Sequence, residues 1–439
     1  MGTGVGLLGC GTVGGGVVRL LRERSAEIAA RVGGPVEIVR VAVRDAGKAR
    51  AAELDPALLT TSAEELVQDP RVDVVVEVMG GIEPALALLR SAIRARKQIV
   101  TANKMLLAFH GPELFARARA ASVDLAFEGS VGGGIPVIRT LREALASDSI
   151  ASLTGIVNGT SNYVLTRMQR DGVGFDAVLR DAQEKGYAEA DASLDVGGHD
   201  AAHKLTVLAM LAFGAEIDPS SVPTEGLADL EPVDLEAAHR FGYVIKPLAV
   251  ALDRGEALDL RVHPALVPQD APLASVGGVL NAIAIRGRAV GTCVLSGPGA
   301  GAMPTAVSVV ADVIDVARAR EAGKMGLLTA AVRTKPRPLL PILQVVARHY
   351  LRFVVRDEPG VLGRIATALG KAGVSIEELV QRGRGEGTGA PVNVVMMTHE
   401  ARGAQIRGAV SSIDLEDFVV AKTRVLRVVE SQEPVLAEG

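Results

Sequence analysis

The 439-residue chain has 48% hydrophobic and 22% charged residues and a formal net charge of −4, the profile of a globular protein with roughly two to four domains. It has no basic block, no Trp and only 3% aromatics, so it offers neither a cationic footprint nor stacking platforms, and nucleic acid is not an expected partner. Its 2 cysteines, Cys10 and Cys293, give no disulfide framework, no apolar run approaches the roughly 18 residues of a membrane span, and no basic leader opens the chain. A cytoplasmic location without a membrane partner is the expectation.

In chain order, Val5 to Leu8 reads as a short apolar strand and Thr12 to Arg24 as a helix with Val17, Val18, Leu20 and Leu21 on its apolar face. Between them lies Gly9-Cys10-Gly11-Thr12-Val13-Gly14. A strand, G-x-G-x-x-G and a helix form the dinucleotide-binding fingerprint. Gly9 permits the tight turn, Gly11 lets the backbone approach a pyrophosphate at the helix N-terminus, and Gly14 lets helix and strand pack closely. Val36 to Val43 reads as the second strand. It ends in Arg44, with Lys48 four residues on, where two cations favour the 2′-phosphate of NADP; Asp45 keeps NAD open.

Val72 to Val78 is a β-branched run of the kind buried in parallel sheets. A helix from Pro84 to Arg96 and a strand from Ile99 to Thr101 follow, with Ala102-Asn103-Lys104 at the strand's carboxyl end. Open α/β sheets bind ligands there, which makes Lys104 a candidate site lysine. After the strand Val123 to Phe127, the stretch Glu128 to Pro136 contains three successive glycines whose carbonyls and amides could bind an ion or substrate.

From Ile150 the pattern changes to α+β. Strand-like Ser152 to Val157 precedes Asn158-Gly159-Thr160-Ser161-Asn162, helices near Tyr163–Arg170 and Phe175–Lys185, and apolar strands between Ile245 and Leu295. Such a sheet exposes an apolar face, so pairing with a second subunit is expected. Within this region, Gly186 to Lys204 places Glu189, Asp191, Asp195 and Asp200 ahead of Lys204, and an apolar helix follows. Asp200 and Lys204 are four residues apart and share one helix face. The plain reading is a solvated acidic loop with a surface ion pair. The sharper reading is a partly buried ammonium beside carboxylates, a general acid.

The glycine-rich turn Ser296 to Gly301 and a helix from about Thr305 to Arg320 can return the chain to the first domain. Thr334 to Pro341, with three prolines, reads as a semi-rigid linker. The remainder, from Tyr350 to Val429, reads as βαββαβ, a ferredoxin-like split unit.

These motifs, with Gly297-Pro298-Gly299-Ala300-Gly301, resemble the homoserine dehydrogenases that carry a C-terminal ACT domain, over nearly the whole chain. The Gly186–Lys204 segment is the most specific of them. The resemblance implies an α/β fold in four parts: a Rossmann NAD(P)-binding domain over residues 1–133 completed by a returning helix over 302–325, an α+β catalytic and dimerisation domain over 134–301, a linker over 326–348, and a ferredoxin-like ACT domain over 349–430. It implies interconversion of L-homoserine and L-aspartate 4-semialdehyde, on the route to threonine, methionine and isoleucine, with NADP or NAD as cofactor.

By the same resemblance, Lys204 donates the proton, Lys104 touches cofactor and substrate, and Asp200 orients Lys204 and binds substrate. Gly186, through its main chain, and Glu189 hold the amino-acid end, with Asp195 in support. Gly9, Gly11, Thr12, Val13, Gly14, Arg44, Lys48, Lys104 and Gly301 serve the cofactor. A sodium ion rests on the main-chain carbonyls of Glu128, Val131, Gly133 and Ile135. A homodimer or homotetramer and a threonine effector are expected, and no aspartate kinase region is recognised, so a monofunctional chain. Two alternatives share parts of this pattern: another ACT-bearing dehydrogenase, acting on prephenate or phosphoglycerate, and a non-enzymatic dinucleotide or amino-acid sensor. Neither accounts for a proton-donating lysine behind an acidic loop.

Overall fold

The N-terminal apolar run forms β1 (Thr3–Leu8), buried at all six residues. The computed structural model describes residues 2–45, 47, 54–381 and 391–429; Lys48 lies outside them. The glycine turn after β1 leads into α1 (Thr12–Glu23) and α2 (Ser25–Val32), followed by β2 (Val36–Ala42), β3 (Leu59–Thr60), α3 (Ala63–Gln68), β4 (Val74–Glu77), α4 (Ala85–Arg94), β5 (Gln98–Thr101), α5 (Lys104–Ala121) and β6 (Leu125–Ala126). The strands pair in parallel in the order β3-β2-β1-β4-β5-β6. This doubly wound order, reversing direction beside β1, opens a ligand crevice at the carboxyl ends of β1 and β4.

The chain divides into two compact units. The first comprises Met1–Leu153, Asp200–Val222 and Leu280–Arg337. Its core joins Val5, Leu7, Val17, Val74, Val76 and Val100 to Val309, Val313 and Val316 of the helix Ala302–Glu321. That helix returns to the sheet as its apolar spacing implies, and Gly16 of α1 makes the approach possible: a Cβ there would lie 2.7 Å from the Ala302 carbonyl oxygen.

The second unit comprises Thr154–His199, Pro223–Val279 and Pro338–Gly439. Six strands lie side by side in it, in the order Tyr243–Asp253, Leu258–Pro268, Val419–Val428, His349–Arg356, Pro391–Thr398 and Ile376–Gln381. The last four, with the helices Val361–Lys371 and Gly403–Ile413, make the βαββαβ unit. Val419–Val428 also pairs in parallel with Leu258–Pro268, at Ala265–Arg427 and Leu266–Val428. The C-terminal unit therefore continues a neighbouring sheet.

The stretch Thr334 to Pro341 is bonded along its length. In the first unit Lys335 and Pro336 pair with Ala215 and Glu216; in the second, Leu258 N donates to the Pro338 carbonyl and Leu340 N donates to the Leu258 carbonyl. Two helices go beyond the periodicity. In Ser25–Val32 only Ile28 and Val32 are buried, too short a stripe to stand out. Pro232–Arg240 begins with proline and a Glu231–Asp234 capping box, signals that are visible only at its first turn. Among the described residues no helix is long and apolar enough to cross a membrane.

Candidate active site

The site in the first unit grows from the ends of three strands. After β1, Gly9 turns the chain at φ +95°. A Cβ on Gly14 would lie 2.3 Å from the Gly9 carbonyl oxygen, whereas one on Gly11 would meet nothing within 4 Å. The first makes glycine obligatory at the turn, and the second leaves the α1 N-terminus open to a ligand. Arg44 and Asp45 are exposed beyond β2, and the Asp45 carboxylate accepts from the Gly47 N–H at 2.8 Å.

At the end of β4, fully buried Glu77 organises the neighbouring strand end. Its carboxylate accepts from Met79 N at 2.9 Å, Gly80 N at 3.3 Å and Thr101 Oγ1 at 2.6 Å. Burial pushes this carboxyl up, against the hydrogen bonds it receives. Asn103 follows β5 and caps α5, accepting from Leu106 N at 3.1 Å and donating to the Gly81 carbonyl at 2.6 Å. Lys104, the first residue of α5, is thereby fixed at the crevice. Glu77 and Asn103 carry no chemistry of their own that the sequence would flag, and only their shared hydrogen bonds mark them.

The helix His199–Phe213 brings the second lysine. Lys204 and Asp200 are buried, at 8% and 7% exposure, so the solvated-loop reading does not hold for this pair. Lys204 Nζ lies 2.6 Å from Asp200 Oδ2 and Lys104 Nζ lies 2.8 Å from Asp200 Oδ1. One carboxylate thus bridges two ammonium groups, one buried and one 40% exposed. Burial would raise the Asp200 carboxyl, but the charges of Lys204 and Lys104 outweigh it and hold the group below the usual carboxylate range. The cluster carries one net positive charge where a developing alkoxide could be stabilised.

A cavity of about 310 Å³ joins these parts. Thr12, Val13, Asn103, Lys104, Lys204 and Gly301 line it. Gly133 lines it too, at φ +56°. Its carbonyl accepts from Ser308 Oγ at 2.6 Å, and the Ile135 carbonyl accepts from Val137 N at 2.8 Å. Each oxygen keeps a second lone pair. Glu128 donates its N–H to Asp312 at 2.7 Å and, with its carboxylate, accepts from Ile138 N and Arg139 N at 2.9 and 2.8 Å. Burial, reinforced by Glu128, pushes the Asp312 carboxyl up to about 8. Val131 is buried. Among the described residues no group of His, Cys, Asp and Glu side chains could hold a metal ion.

In the second unit, Gly186 turns at φ +74°, Glu189 is exposed and its carbonyl accepts from Gln183 Nε2 at 3.2 Å. Asp195 accepts from Asn158 Nδ2 at 2.7 Å, and its carbonyl accepts from Ser161 Oγ at 2.9 Å. The Asn158–Asn162 motif thus holds the acidic loop while Asn158 also caps the helix Gly159–Asp171 through Ser161 N.

A dinucleotide-binding sheet whose crevice holds a carboxylate-bridged lysine pair defines the class: an NAD(P)-dependent oxidoreductase. Three family models match, for the homoserine dehydrogenase NAD-binding domain at residues 9–128, homoserine dehydrogenase at 136–314 and the ACT domain at 349–414. The chain belongs to the homoserine dehydrogenase family. It is 42% identical to the homoserine dehydrogenase of Synechocystis sp. over 97% of this chain and 99% of that one. The crystal structure of a homoserine dehydrogenase from Thiobacillus denitrificans superposes with a TM-score of 0.92 at 41% identity, over 98% of this chain and 99% of that one. A hyperthermophilic archaeal homoserine dehydrogenase in complex with NADPH matches 72% of this chain and 97% of its own, with a TM-score of 0.62 at 25% identity.

Proposed function

We propose that the Lys104–Asp200–Lys204 cluster carries the reversible oxidation of L-homoserine to L-aspartate 4-semialdehyde. The observation that bears the reading is one buried carboxylate holding two ammonium groups at the wall of the cavity lined by Thr12, Val13 and Gly301. The glycine turn fits a dinucleotide, which when bound supplies the hydride acceptor. Lys204 protonates the carbonyl oxygen as the aldehyde is reduced, and takes the hydroxyl proton in the reverse direction. Asp200 fixes both ammonium groups, and Lys104 stands at the mouth, where cofactor and substrate would meet it. Gly186, Glu189 and Asp195 serve the polar amino-acid end of the substrate.

NADP is the preferred cofactor in this reading, supported by Arg44 at the end of β2 and by the NADPH carried by the archaeal relative. Gly9, Gly11 and Gly14 shape the turn that receives its pyrophosphate. The carbonyls of Glu128, Val131, Gly133 and Ile135 would hold sodium, a hard cation that takes oxygen donors, in a structural role. The four-part division at residues 133, 301 and 348, the cytoplasmic location and a homodimeric or homotetrameric assembly complete the proposal; the half-exposed face of the strand Gly291–Pro298 supports the assembly. The ACT domain would bind an amino-acid effector, threonine first.

Turnover of homoserine with NADP at alkaline pH tests the core of this reading. Lys204→Ala should lower it by about two decades or more, the loss expected for a general acid, and leave NADP binding nearly intact. Near-normal turnover in that variant would remove Lys204 from the mechanism.

A further inference from the structure

Glu77 closes β4, a strand otherwise of buried valines, and has no exposed surface itself. Burying a carboxylate is costly unless donors replace the water it loses. The donors that meet Glu77 are all neutral, and they fall into two sets. Oε1 accepts from Met79 N at 2.9 Å, from Gly80 N at 3.3 Å and, more weakly, from Asn103 Nδ2 at 3.5 Å. Oε2 accepts from Thr101 Oγ1 at 2.6 Å, because the parallel register sets Glu77 level with Thr101 of β5.

The two sets belong to two parts of the cavity wall. Met79 and Gly80 line the cavity from the end of β4, Asn103 and Lys104 from the end of β5. The first part is a turn with two glycines in the left-handed region, Gly80 at φ +75° and Gly81 at φ +74°. Glycine has the most backbone freedom to lose, so such a turn needs holding from outside. Glu77 Oε1 holds its amides, and Asn103 Nδ2 holds the Gly81 carbonyl at 2.6 Å. In the second part, Thr101 Oγ1 accepts from Asn103 N at 3.0 Å while donating to Glu77. Thr101 thus passes the constraint to the residue before Lys104.

Lys104 depends on that constraint. Its long, flexible side chain is 40% exposed, and its Nζ meets Asp200 Oδ1 at 2.8 Å. Asp200 comes from a different helix, His199–Phe213. Where α5 starts therefore decides whether the ammonium reaches the carboxylate. A misplacement of about 1 Å can cost on the order of 10²-fold in rate.

We propose that Glu77 is a positioning residue for the reaction: its two oxygens lock the Met79–Gly80 turn and the start of α5 to each other, and so set Lys104 against Asp200. This rests on the reading of the lysine cluster above and adds a residue outside the cavity lining. Glu77→Gln separates the two links. Its amide settles with the oxygen on Met79 N and Gly80 N, since the reverse would set an NH2 group against two N–H donors. The mismatch then falls on Thr101, which can no longer donate. The kcat for homoserine should fall about tenfold or more, while the NADPH dissociation constant stays within about threefold. Thr101→Val, which keeps the shape and removes the hydroxyl, should give the same split. The double variant should lie within about threefold of the slower single variant, because both changes break one link. Thr101→Ser keeps the hydroxyl and should hold kcat within about threefold of wild type. If Glu77→Gln does not fold, the two Thr101 variants carry the test.

Amide hydrogen exchange reads the link without turnover, and it should quicken at Asn103 and Leu106 in both Glu77→Gln and Thr101→Val. Exchange that stays at wild-type rates there overturns the proposal. So does wild-type kcat in both variants, or losses that multiply in the double variant. A lowered Tm with kcat and homoserine KM unmoved would make Glu77 a packing residue only. Equal losses in kcat and NADPH affinity would confine its effect to the cofactor turn, against the role assigned through Lys104. A wild type that does not turn over homoserine counts against the reaction, and the exchange measurement still decides the link.

Discussion

Asp200 decides the electrostatics of the site. Two ammonium groups left alone would repel each other, but the carboxylate lies between them, 2.6 Å from Lys204 Nζ and 2.8 Å from Lys104 Nζ, and offsets that repulsion. Homoserine oxidation needs a neutral lysine to take the hydroxyl proton, so its rate should rise with pH. Asp200→Asn removes the negative charge held between the two lysines. The alkaline rise in kcat/KM should then move to lower pH, with a lower plateau because Lys204 loses its orienting partner. An unmoved profile would mean that Asp200 only packs the helix. Folding stability should carry the opposite mark of the same shift: a carboxyl held below its unfolded pKa contributes stability above about pH 4 that is lost as pH falls below it. Cofactor choice is also a residue-scale matter. Arg44→Ala should lower kcat/KM with NADP about tenfold and change NAD little, since one partly solvated charge contact is worth roughly that factor. Equal losses for both cofactors would mean that Arg44 serves the fold or the adenine. The Asp200–Lys204 pair was legible from its spacing because a helix places residues four apart on one face. The arrival of Lys104 on the same carboxylate was not, because no local pattern encodes a contact between β5's end and a distant helix.

At the scale of elements, local chemistry made the glycine turn after β1 readable: its constraints act within a few residues, and Gly9, Gly11 and Gly14 take the geometry the motif demands. The loop Glu128 to Pro136 is harder, because what fixes it comes from the returning helix: Ser308 holds the Gly133 carbonyl and Asp312 holds the Glu128 N–H. The sodium proposal belongs to this loop and needs a measurement apart from activity. Sodium should raise the Tm over that in choline or potassium salts at equal ionic strength. Gly133→Ala should abolish the difference, since Gly133 sits at φ +56° and a Cβ there would lie 2.6 Å from the Gly299 carbonyl carbon. A Tm indifferent to the cation in the wild type would leave the Gly133 and Ile135 carbonyls as ordinary loop acceptors of Ser308 Oγ and Val137 N.

At the scale of the whole molecule, the prolines of Thr334 to Pro341 suggest a tethered C-terminal module that could be cut away, leaving an active enzyme. Within the second unit the physical picture is different. Tyr350, Val395, Met397, Leu426 and Val428 of the βαββαβ unit share one core with Val164, Leu165, Leu235, Ile245 and Leu266. Arg352 is buried and pairs at 2.7 Å with Asp234, which has no exposed surface, and Tyr350 Oη donates to the same carboxylate at 3.0 Å. Removing one partner of such a pair costs about 3–5 kcal/mol, and each large apolar side chain stripped from a core costs about 2–5 kcal/mol more. Against a total stability of roughly 5–15 kcal/mol, these losses are decisive. Linker composition could not reveal this, because the strand pairing at Ala265 and Leu266 joins residues far apart in the chain. A chain ending near Lys335 should therefore be poorly soluble or strongly lowered in Tm, with homoserine turnover lost for want of a folded second unit. The softer substitution Arg352→Met should lower Tm while leaving kcat/KM near wild type at permissive temperature, separating a structural dependence from a catalytic one. A truncated chain with the Tm and kcat/KM of the full enzyme would mean that the shared core is dispensable and that the tail is the detachable module its linker suggests.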